Sequence, residues 1–199
     1  WPKTKALSAD SRKKQQEELC RLLDQVQQCG INTVFFQTRI RGSVVYPSKI
    51  EPWDVALTGK YEKDPGYNPL AFAIEECHRR GMELHAWVVA VPCFKTAQAR
   101  KIGEKSLINT HPKLLRRHDG QYYLDPGLPG SAEYVSSICK EIVSNYDVDG
   151  IHLDYIRYPE RADGFSDGAT YSKYGKKQNK ADWRRANVTQ MVRTIYNDV

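Results

Sequence analysis

The chain has 199 residues, of which 40% are apolar, and its 30 Lys and Arg outnumber its 24 Asp and Glu, for a net charge of +6. This length fits one domain with a buried core, and the composition excludes a disordered chain. No apolar run reaches the roughly 20 residues that a membrane-spanning helix needs. The basic residues are spread along the chain and form no stripe with aromatic residues, which argues against nucleic acid as a partner.

The first elements along the chain are a predicted helix and a predicted strand. Apolar residues recur at helical spacing over residues 11–28, and Gly30 follows where a helix-ending glycine belongs. Residues 31–37 are rich in β-branched and aromatic side chains, which predicts a strand. A long loop then runs to Asn68.

A second helix and a second strand follow this loop. Asn68 and Pro69 form a helix-start signal, with the asparagine as N-cap and the proline in the first turn, and Gly81 ends the segment. Residues 83–91 are mostly apolar on both faces, as expected for a strand in a sheet that helices cover. Another long loop runs to Gly130.

The last third of the chain repeats the pattern. Ser131 is predicted to cap a third helix, whose apolar residues up to Tyr146 give the clearest amphipathic signal in the chain. Residues 150–156 predict a third strand. After a loop rich in Gly and Tyr, residues 188–199 predict a fourth helix.

Strands and helices that alternate through connections too long for hairpins predict right-handed βαβ units and a parallel sheet. A barrel and a doubly wound sheet both fit this pattern. No strand is followed by a Gly-rich phosphate loop, and the loops after strands are long while those after helices are short, which favours a (β/α)8 TIM barrel. Because such a barrel needs roughly 250 residues, we expect residues 1–199 to form a single partial barrel domain, about half of the whole and cut at both ends.

The first residue of the chain is also informative. Trp1 is neither an initiator Met nor part of a secretion signal, which we interpret as the mark of an excised fragment. A parallel sheet left open in this way would uncover an edge strand and apolar faces. We therefore expect the fragment to self-associate.

Polar side chains gather on one face of each predicted strand. Side chains alternate along a strand, so residues two apart share a face. The polar sets near the strand ends are Gln37 with Arg39, His85 with Trp87, and His152 with Asp154. We expect these sets to point toward the barrel axis, near the carboxyl ends of the strands where barrel enzymes hold their sites, and the apolar faces to meet the helices.

Asp154 is the strongest candidate for chemistry. A carboxylate at the mouth of a parallel strand, next to Tyr155 and Arg157, can be stabilised by nearby donors, which suits a nucleophile or a charge stabiliser. The alternative is a structural pair with Arg157 that fixes the loop. Asp149, at the opposite end of the same strand, is expected to be structural.

Further residues are candidates for substrate binding, each with a structural alternative. Gln37, Arg39 and Arg41 crowd the end of the first strand, where a guanidinium holds a sugar hydroxyl or a carboxylate, or else forms a salt bridge across the mouth. His85 and His152 either bind substrate hydroxyls and tune Asp154, or are hydrogen-bonded core residues.

Loop residues add three candidates. Tyr46 and Trp53 lie beside prolines that hold them rigid, so each is either a stacking platform for substrate or a loop anchor. Asp125, which precedes Pro-Gly, is either a second acid in the cleft or a turn former. Many of the remaining tyrosines also lie in loops beside Gly and Pro, as in sugar-binding clefts.

No metal or cofactor is expected. The five cysteines form no CxxC pair, and most fall at apolar positions of predicted helices, which predicts buried thiols rather than zinc ligands. His111 and His118 lie seven residues apart with no other ligand at metal spacing, so a surface role is expected for both.

Five motifs resemble those of the glycosyl-hydrolase-like 10 family, over nearly the whole chain. They begin at Gln37 (QTRIRG), Ile50 (IEPWD), Asn68 (NPLAFAIEECHRRGMELHAW), Leu124 (LDPG) and Asp149 (DGIHLDYIRYP). The resemblance implies a (β/α)8 barrel from bacterial envelope proteins, often lipoproteins, among them a glycosidase that cuts peptide-free peptidoglycan strands. It further implies that Asp154 is the strand-four carboxylate of that barrel. Location in the cell envelope and membrane contact only through a lipid anchor outside this chain are expected on the same ground.

The expected function is therefore hydrolysis of glycosidic bonds in a bacterial cell-wall or related polysaccharide, with Asp154 as the catalytic residue. The residues expected to shape the pocket are Gln37, Arg39, Tyr46, Trp53, His85, Trp87, Asp125, His152, Tyr155 and Arg157. The alternative is a carbohydrate-binding or scaffolding barrel of the envelope that performs no hydrolysis. The fragment by itself is expected to be inactive.

Overall fold

The structure of the protein is a computed structural model that describes residues 1–175 and 177–199. Within these residues the α-helices and strands are α1 (Ala9–Gln28), β1 (Thr33–Arg39), α2 (Val55–Thr58), α3 (Pro69–His78), β2 (Glu83–Val89), β3 (Pro92–Lys95), α4 (Leu107–Thr110), β4 (Leu115–His118), β5 (Gln121–Leu124), α5 (Pro129–Asn145), β6 (Gly150–Asp154), α6 (Gly168–Tyr174) and α7 (Lys180–Asp198). The predicted helices correspond to α1, α3, α5 and α7, and the predicted strands to β1, β2 and β6. Among the described helices, none is long and apolar enough to cross a lipid bilayer.

Local sequence signals explain where the helices begin. Ser8 caps α1 through its side chain, and Asn68 caps α3 as predicted. The prediction that Ser131 caps α5 is wrong, because the helix already begins at Pro129, whose fixed φ suits a first turn. The Ser131 hydroxyl instead donates to the backbone carbonyl of Asp125 at 2.7 Å.

The main sheet is parallel, with the strand order β1-β2-β6. Its spatial neighbours therefore follow one another in chain order, joined by the crossovers that contain α3 and α5. Because such crossovers are right-handed, both helices lie on the same face of the sheet. A doubly wound sheet reverses its strand order instead. The predicted α/β fold with a parallel sheet is confirmed.

One face of this sheet is buried beneath the helices, and we call it the covered face. Leu84, Ala86 and Val88 are all completely buried there. They belong to one hydrophobic core with side chains of α1, α3 and α5. Burial of a side chain of leucine or valine size contributes roughly 1.5–3 kcal/mol, so this face supplies much of the stability of the fold.

A second, antiparallel sheet of order β3-β5-β4 lies within residues 92–124, which we call the insertion. The sequence predicts only a loop there, because four-residue strands are too short for an alternation of apolar and polar residues to be recognised. Asp119 and Gly120, both with positive φ, form the two-residue turn between β4 and β5 that an Asp-Gly pair favours. The Leu124 N–H donates to the Val91 carbonyl at 3.0 Å, so the insertion returns to the end of β2, where it began.

Candidate active site

The face of the parallel sheet opposite the helices, which we call the open face, carries a cluster of aromatic and imidazole rings. Phe35 is 52% exposed, and its ring centre lies 5.4 Å from that of His85 and 4.7 Å from that of His152. The Trp87 ring lies edge-on to His152 at 6.0 Å. The polar sets predicted on the second and third strands therefore do share one face.

Gly150 explains the position of His85 on the open face. The two residues lie opposite each other in the register of β2 and β6, and a Cβ at Gly150 would lie 2.6 Å from His85 Nδ1. Only glycine leaves room for the imidazole without a shift. His85 Nε2 lies 3.2 Å from the Glu83 carboxylate, at the start of β2. In the register of the sheet, His85 thus lies opposite Gly150, which is four residues before Asp154 in β6.

Asp154 ends β6 at the carboxyl edge of the sheet and is half-buried. Trp87 Nε1–H donates to its Oδ2 at 3.0 Å, and the backbone N–H of Tyr155 donates to its Oδ1 at 2.7 Å. Tyr155 has a φ of 50°, a left-handed conformation that is uncommon for an aromatic residue and is often found at functional sites. Arg157 pairs with Glu160 at 3.2 Å, in place of the alternative pairing with Asp154. The carboxylate is therefore held from two sides by N–H donors.

Gln37 shares the open face with this carboxylate but lies two strands away, on β1. It is opposite Trp87, which in turn is opposite His152, so the three residues form one row across β1, β2 and β6. Asp154 follows two residues after His152 on the same face. The structure brings together the four predicted residues Gln37, Trp87, His152 and Asp154.

The prediction that Arg39 shares this row is wrong. The register of β1 against β2 shifts between Gln37 and Arg39, and the extra residue turns Arg39 away from the open face. Arg39 is fully buried and makes two hydrogen bonds to Glu51, at 2.8 and 2.7 Å. The Tyr134 hydroxyl of α5 donates to the same carboxylate at 2.9 Å. Arg39 is thus part of a buried structural ion pair.

A cavity of about 200 Å³ opens at the carboxyl end of the sheet, and we call it the mouth cavity. Its walls come from three separate segments of the chain: Arg41 after β1, His118 and Tyr123 in the insertion, and Tyr155 and Arg157 after β6. The Arg157 guanidinium lies 5.4 Å from the centre of the Tyr155 ring. Tyr155 and Arg157 therefore face a cavity, as substrate-binding residues must.

His118 and Tyr123 are members of this wall that the sequence analysis did not assign to the site. The expected surface role of His118 is wrong, since the residue is only 8% exposed and its ring packs against that of Tyr123 at 6.2 Å. The available signal was the frequency of tyrosines in loops. It pointed to sugar-binding clefts without indicating which tyrosines meet.

Tyr158 forms another wall of the mouth cavity and is held from α7. The Asn187 amide donates to the Tyr158 hydroxyl at 3.0 Å, and the Arg184 guanidinium lies 5.1 Å from the centre of its ring. Arg184 is itself fixed by hydrogen bonds of 2.8 and 2.9 Å to Asp167. Burial raises the pKa of the Tyr158 hydroxyl, which therefore stays neutral and can donate as well as accept.

A second cavity, of about 230 Å³, also includes Arg41 in its lining, and we call it the side cavity. Its other walls include Trp53, Tyr61 and Lys95. Trp53 is half-buried and packs partly against the core. The position of Trp53 at a cavity agrees with its predicted role as a stacking platform for substrate. That role stays a prediction.

Two further predicted site residues are structural. Tyr46 is 1% exposed and donates to Glu141 at 2.9 Å, so it anchors a loop and offers no platform. Asp125 is completely buried, where it accepts a hydrogen bond of 2.6 Å from the Thr170 hydroxyl and pairs with Arg116 at 3.1 Å. Burial raises the pKa of Asp125. Asp125 orders the turn before α5, which is the turn-former alternative.

Asp149, at the other end of β6, joins two elements. Its carboxylate lies 2.9 Å from His78 Nε2 and accepts a hydrogen bond of 2.7 Å from the Leu84 N–H. The hydrogen bonds with His78 and Leu84 lower the pKa of Asp149. These contacts tie the end of α3 to the start of β2, in agreement with the expected structural role.

The chemistry of the site is that of a carboxylate at a sheet edge. In the part of the chain that the structure describes, no three His, Cys, Asp or Glu side chains cluster in a way that could hold a metal ion. Tyrosine rings and guanidinium groups line the two cavities, and Tyr155, which directly follows Asp154, belongs to the wall of the mouth cavity. This combination suits a neutral or anionic ligand with hydroxyl groups and apolar ring faces.

The parallel sheet, its helices and the carboxylate at its edge define an α/β protein that shares its fold with glycosidases. The α-L-fucosidase isoenzyme 2 of Paenibacillus thiaminolyticus superimposes with a TM-score of 0.56 at 16% identity, covering 92% of this chain and 26% of that one. A hypothetical protein from Ruminiclostridium thermocellum superimposes with a TM-score of 0.62 at 20% identity, covering 92% and 86% of the two chains. These likenesses concern the fold alone.

The chain belongs to the glycosyl hydrolase-like 10 family, whose model matches residues 1–199. It is 40% identical over 200 residues to the glycosyl hydrolase YngK of Bacillus subtilis, covering 98% of this chain and 39% of that protein. It is 36% identical over 214 residues to the glycosyl hydrolase DigH of Escherichia coli K12, covering 100% of this chain and 49% of that protein. The chain thus spans less than half the length of these curated relatives, and the family resemblance in its motifs is confirmed.

Proposed function

We propose that this chain is part of a (β/α)8 glycosidase barrel, and that the whole protein hydrolyses glycosidic bonds in a bacterial cell-wall or related polysaccharide. The family and the fold shared with glycosidases support a glycoside hydrolase. Three parallel strands in chain order, with both crossover helices on one face, correspond to successive units of such a barrel. The residues 1–199 then form one partial barrel domain.

The position of Asp154 carries this proposal. Glycoside hydrolysis uses two carboxyl groups, one that protonates the leaving oxygen and one that acts as nucleophile or base. Asp154 takes the second role, as the nucleophile or as the stabiliser of the positive charge on the sugar. The N–H groups of Trp87 and Tyr155 orient its two oxygens, and such fixed orientation lowers the barrier to attack.

In the nucleophilic route, a carboxylate oxygen of Asp154 bonds to the anomeric carbon while the bond from that carbon to the leaving oxygen breaks. The leaving oxygen takes a proton from the second carboxyl group, and water later hydrolyses the glycosyl-enzyme. We place the proton donor in the remainder of the full-length protein, because this chain spans less than half of its curated relatives. Two other residues of the open face, His152 on the same strand as Asp154 and Gln37 on β1, are suited to bind sugar hydroxyls.

A comparison of two carboxylates on one strand tests this function. Full-length wild type, Asp154→Asn and Asp149→Asn are incubated with purified cell-wall glycan strands, and new reducing ends are counted. We expect Asp154→Asn to lose at least ~10³-fold in kcat, because it removes a group that acts in the transition state. Asp149→Asn, 5 residues earlier by number, should keep its kcat. Unchanged turnover in a folded Asp154→Asn protein would remove this residue from the chemistry.

A binding protein without hydrolysis remains the second candidate function, favoured by the tyrosine-lined mouth cavity. Glycan binding by the full-length protein with no release of product would select it. For either function we propose the bacterial cell envelope as the location, with a lipid anchor outside this chain. Fractionation of cells that express the full-length protein tests that location.

A further inference from the structure

Two arginines meet at the mouth cavity from segments that are far apart in the chain. Arg41 follows β1 and Arg157 follows β6, and both line the cavity together with Tyr123. Burial raises the pKa of the Tyr123 hydroxyl, and the charges of Asp119 and Glu160 act in the same direction. The charges of the two arginines act against that rise.

Both guanidinium groups are available to a ligand. Arg41 is exposed, and among residues 1–175 and 177–199 no carboxylate lies within 4.0 Å of its guanidinium. Within the described residues, the carboxylate paired with Arg157 is that of Glu160, whose side chain is 85% exposed, and a pair of this kind contributes little. A ligand carboxylate therefore displaces a weak partner at most. The buried Arg39 differs from both, because its guanidinium already donates two hydrogen bonds to the Glu51 carboxylate.

The wall of the mouth cavity also includes the acidic residues Asp119 and Glu160, but the insertion as a whole is basic. The insertion contains seven lysines and arginines against two acidic residues, a net +5, while the whole chain carries +6. It supplies walls to the mouth cavity and, through Lys95, to the side cavity. A concentration of positive charge around a cleft attracts anionic ligands and raises their rate of association.

Arg41 also connects the two cavities. It lines the mouth cavity beside tyrosine rings and the side cavity beside Trp53. Two small cavities that share one guanidinium and each offer aromatic rings are suited to neighbouring units of a polymer, whose apolar ring faces stack while their charges pair. Tyr155, which lines the mouth cavity, directly follows Asp154 in the chain, and this adjacency links the cavity to the proposed nucleophile.

We propose that Arg41 and Arg157 form a recognition site for a sugar carboxylate, so that the substrate class is a carboxylated polysaccharide bound across the mouth and side cavities. This inference rests on the proposed function for its place next to the reacting bond. A guanidinium matches a carboxylate with two parallel N–H donors, which gives specificity as well as affinity.

Binding to matched charged and neutral polymers tests this site. The probes are oligogalacturonate and cell-wall glycan strands, each also prepared with its carboxylates neutralised, by methyl esterification and by carbodiimide amidation respectively. Calorimetry on the full-length protein should give at least ~10-fold tighter binding to the charged form of one of these polymers. Arg41→Gln and Arg157→Gln should each lower that affinity about tenfold and leave binding of the neutral form unchanged. Arg193→Gln, a change of equal charge at an exposed position of α7, should alter neither affinity by more than about twofold.

Several outcomes overturn the carboxylate site. The first is equal affinity of the wild type for the charged and neutral forms of both polymers. The second is an equal loss of affinity for charged and neutral forms in the arginine variants, which indicates that the arginines have a packing role. The third is binding of a single-stranded oligonucleotide that is as tight as binding of the charged glycan and is lost in the same variants. Wild type that binds charged strands without cleaving them contradicts the glycosidase function alone, whereas equal kcat/KM on charged and neutral strands contradicts the carboxylate site alone.

Discussion

The two faces of the parallel sheet differ in what surrounds them. On the covered face Leu84 and Val88 are completely buried against helices, whereas on the open face Phe35 is 52% exposed and packs mainly against imidazole rings. The open face also leads to the carboxylate of Asp154 and the mouth cavity. The same three strands thus bury one set of alternating residues beneath the helices and present the other set, which ends at the candidate carboxylate, on the open face. We therefore expect substitutions on the covered side to change stability and substitutions on the open face to change activity.

The largest loss of stability is expected on the covered side, at the buried pair of Arg39 and Glu51. Glu51→Gln leaves the guanidinium buried without a countercharge, and we expect the free energy of unfolding to fall by about 3–5 kcal/mol. Urea denaturation of the purified chain measures this change. The double variant Arg39→Met/Glu51→Leu, which removes both charges, should lose less than Glu51→Gln. A single variant within 1 kcal/mol of wild type would contradict this view of the pair.

A smaller loss is expected where Glu76 joins the helix layer. Its carboxylate accepts hydrogen bonds of 2.6 Å from Arg79 and from Arg80, and the pKa of Glu76 is lowered to about 2, first by the Arg79 hydrogen bond. Because the folded state favours the ionised form, its contribution is complete above pH 4.5 and is lost as the pH falls toward 2. Glu76→Gln should cost about 1–2 kcal/mol at pH 7.

Unfolding in urea at a series of pH values checks the Glu76 prediction. The stabilities of wild type and Glu76→Gln should converge between pH 4.5 and 2, in the direction given by the lowered pKa. Glu75→Gln, at the exposed neighbouring position, should stay within about 0.5 kcal/mol of wild type throughout. A constant gap between wild type and Glu76→Gln at all pH values would show that packing, and not charge, explains the loss.

The smallest effect is expected on the open face, at Trp87. Trp87→Phe keeps an aromatic ring and removes the Nε1–H donor that orients Asp154. In the full-length protein we expect kcat on glycan strands to fall about tenfold, equivalent to about 1.4 kcal/mol in the barrier, with KM little changed. The free energy of unfolding should change by less than about 1 kcal/mol. A fall in stability without a fall in kcat would assign Trp87 to the core.

Most of the helix and strand order could be predicted because each long element has a regular pattern. Val135, Ile138, Cys139 and Ile142 of the predicted stripe of α5 are buried, while Val143 is exposed, and β2 buries every second residue from Leu84 to Val88. The four-residue strands of the insertion carry no such pattern. Their one clear signal in the sequence is local, the Asp119 and Gly120 pair at the turn between β4 and β5.

The candidate site could be predicted where alternation is unbroken and not where it fails. His152 and Asp154 lie on the face that counting by two assigns to them. Counting by two fails between Gln37 and Arg39, because one extra residue in β1 turns the Arg39 side chain to the covered face, where it is buried. Arg41 lies beyond the end of β1, has a positive φ and lines both cavities. The walls of the mouth cavity depend on contacts between distant loops, which spacing within one segment does not encode.

The hydrogen bond between Leu124 and Val91 has a consequence for how proteins of this family can diverge. It brings the two ends of residues 92–124 together, so the exposed turns between them can change in length or charge while the side chains of this segment that lie in the core, and the spacing of β2 and α5, are kept. Selection can then act on those exposed turns, and the strand edge that bears Asp154 need not be rebuilt.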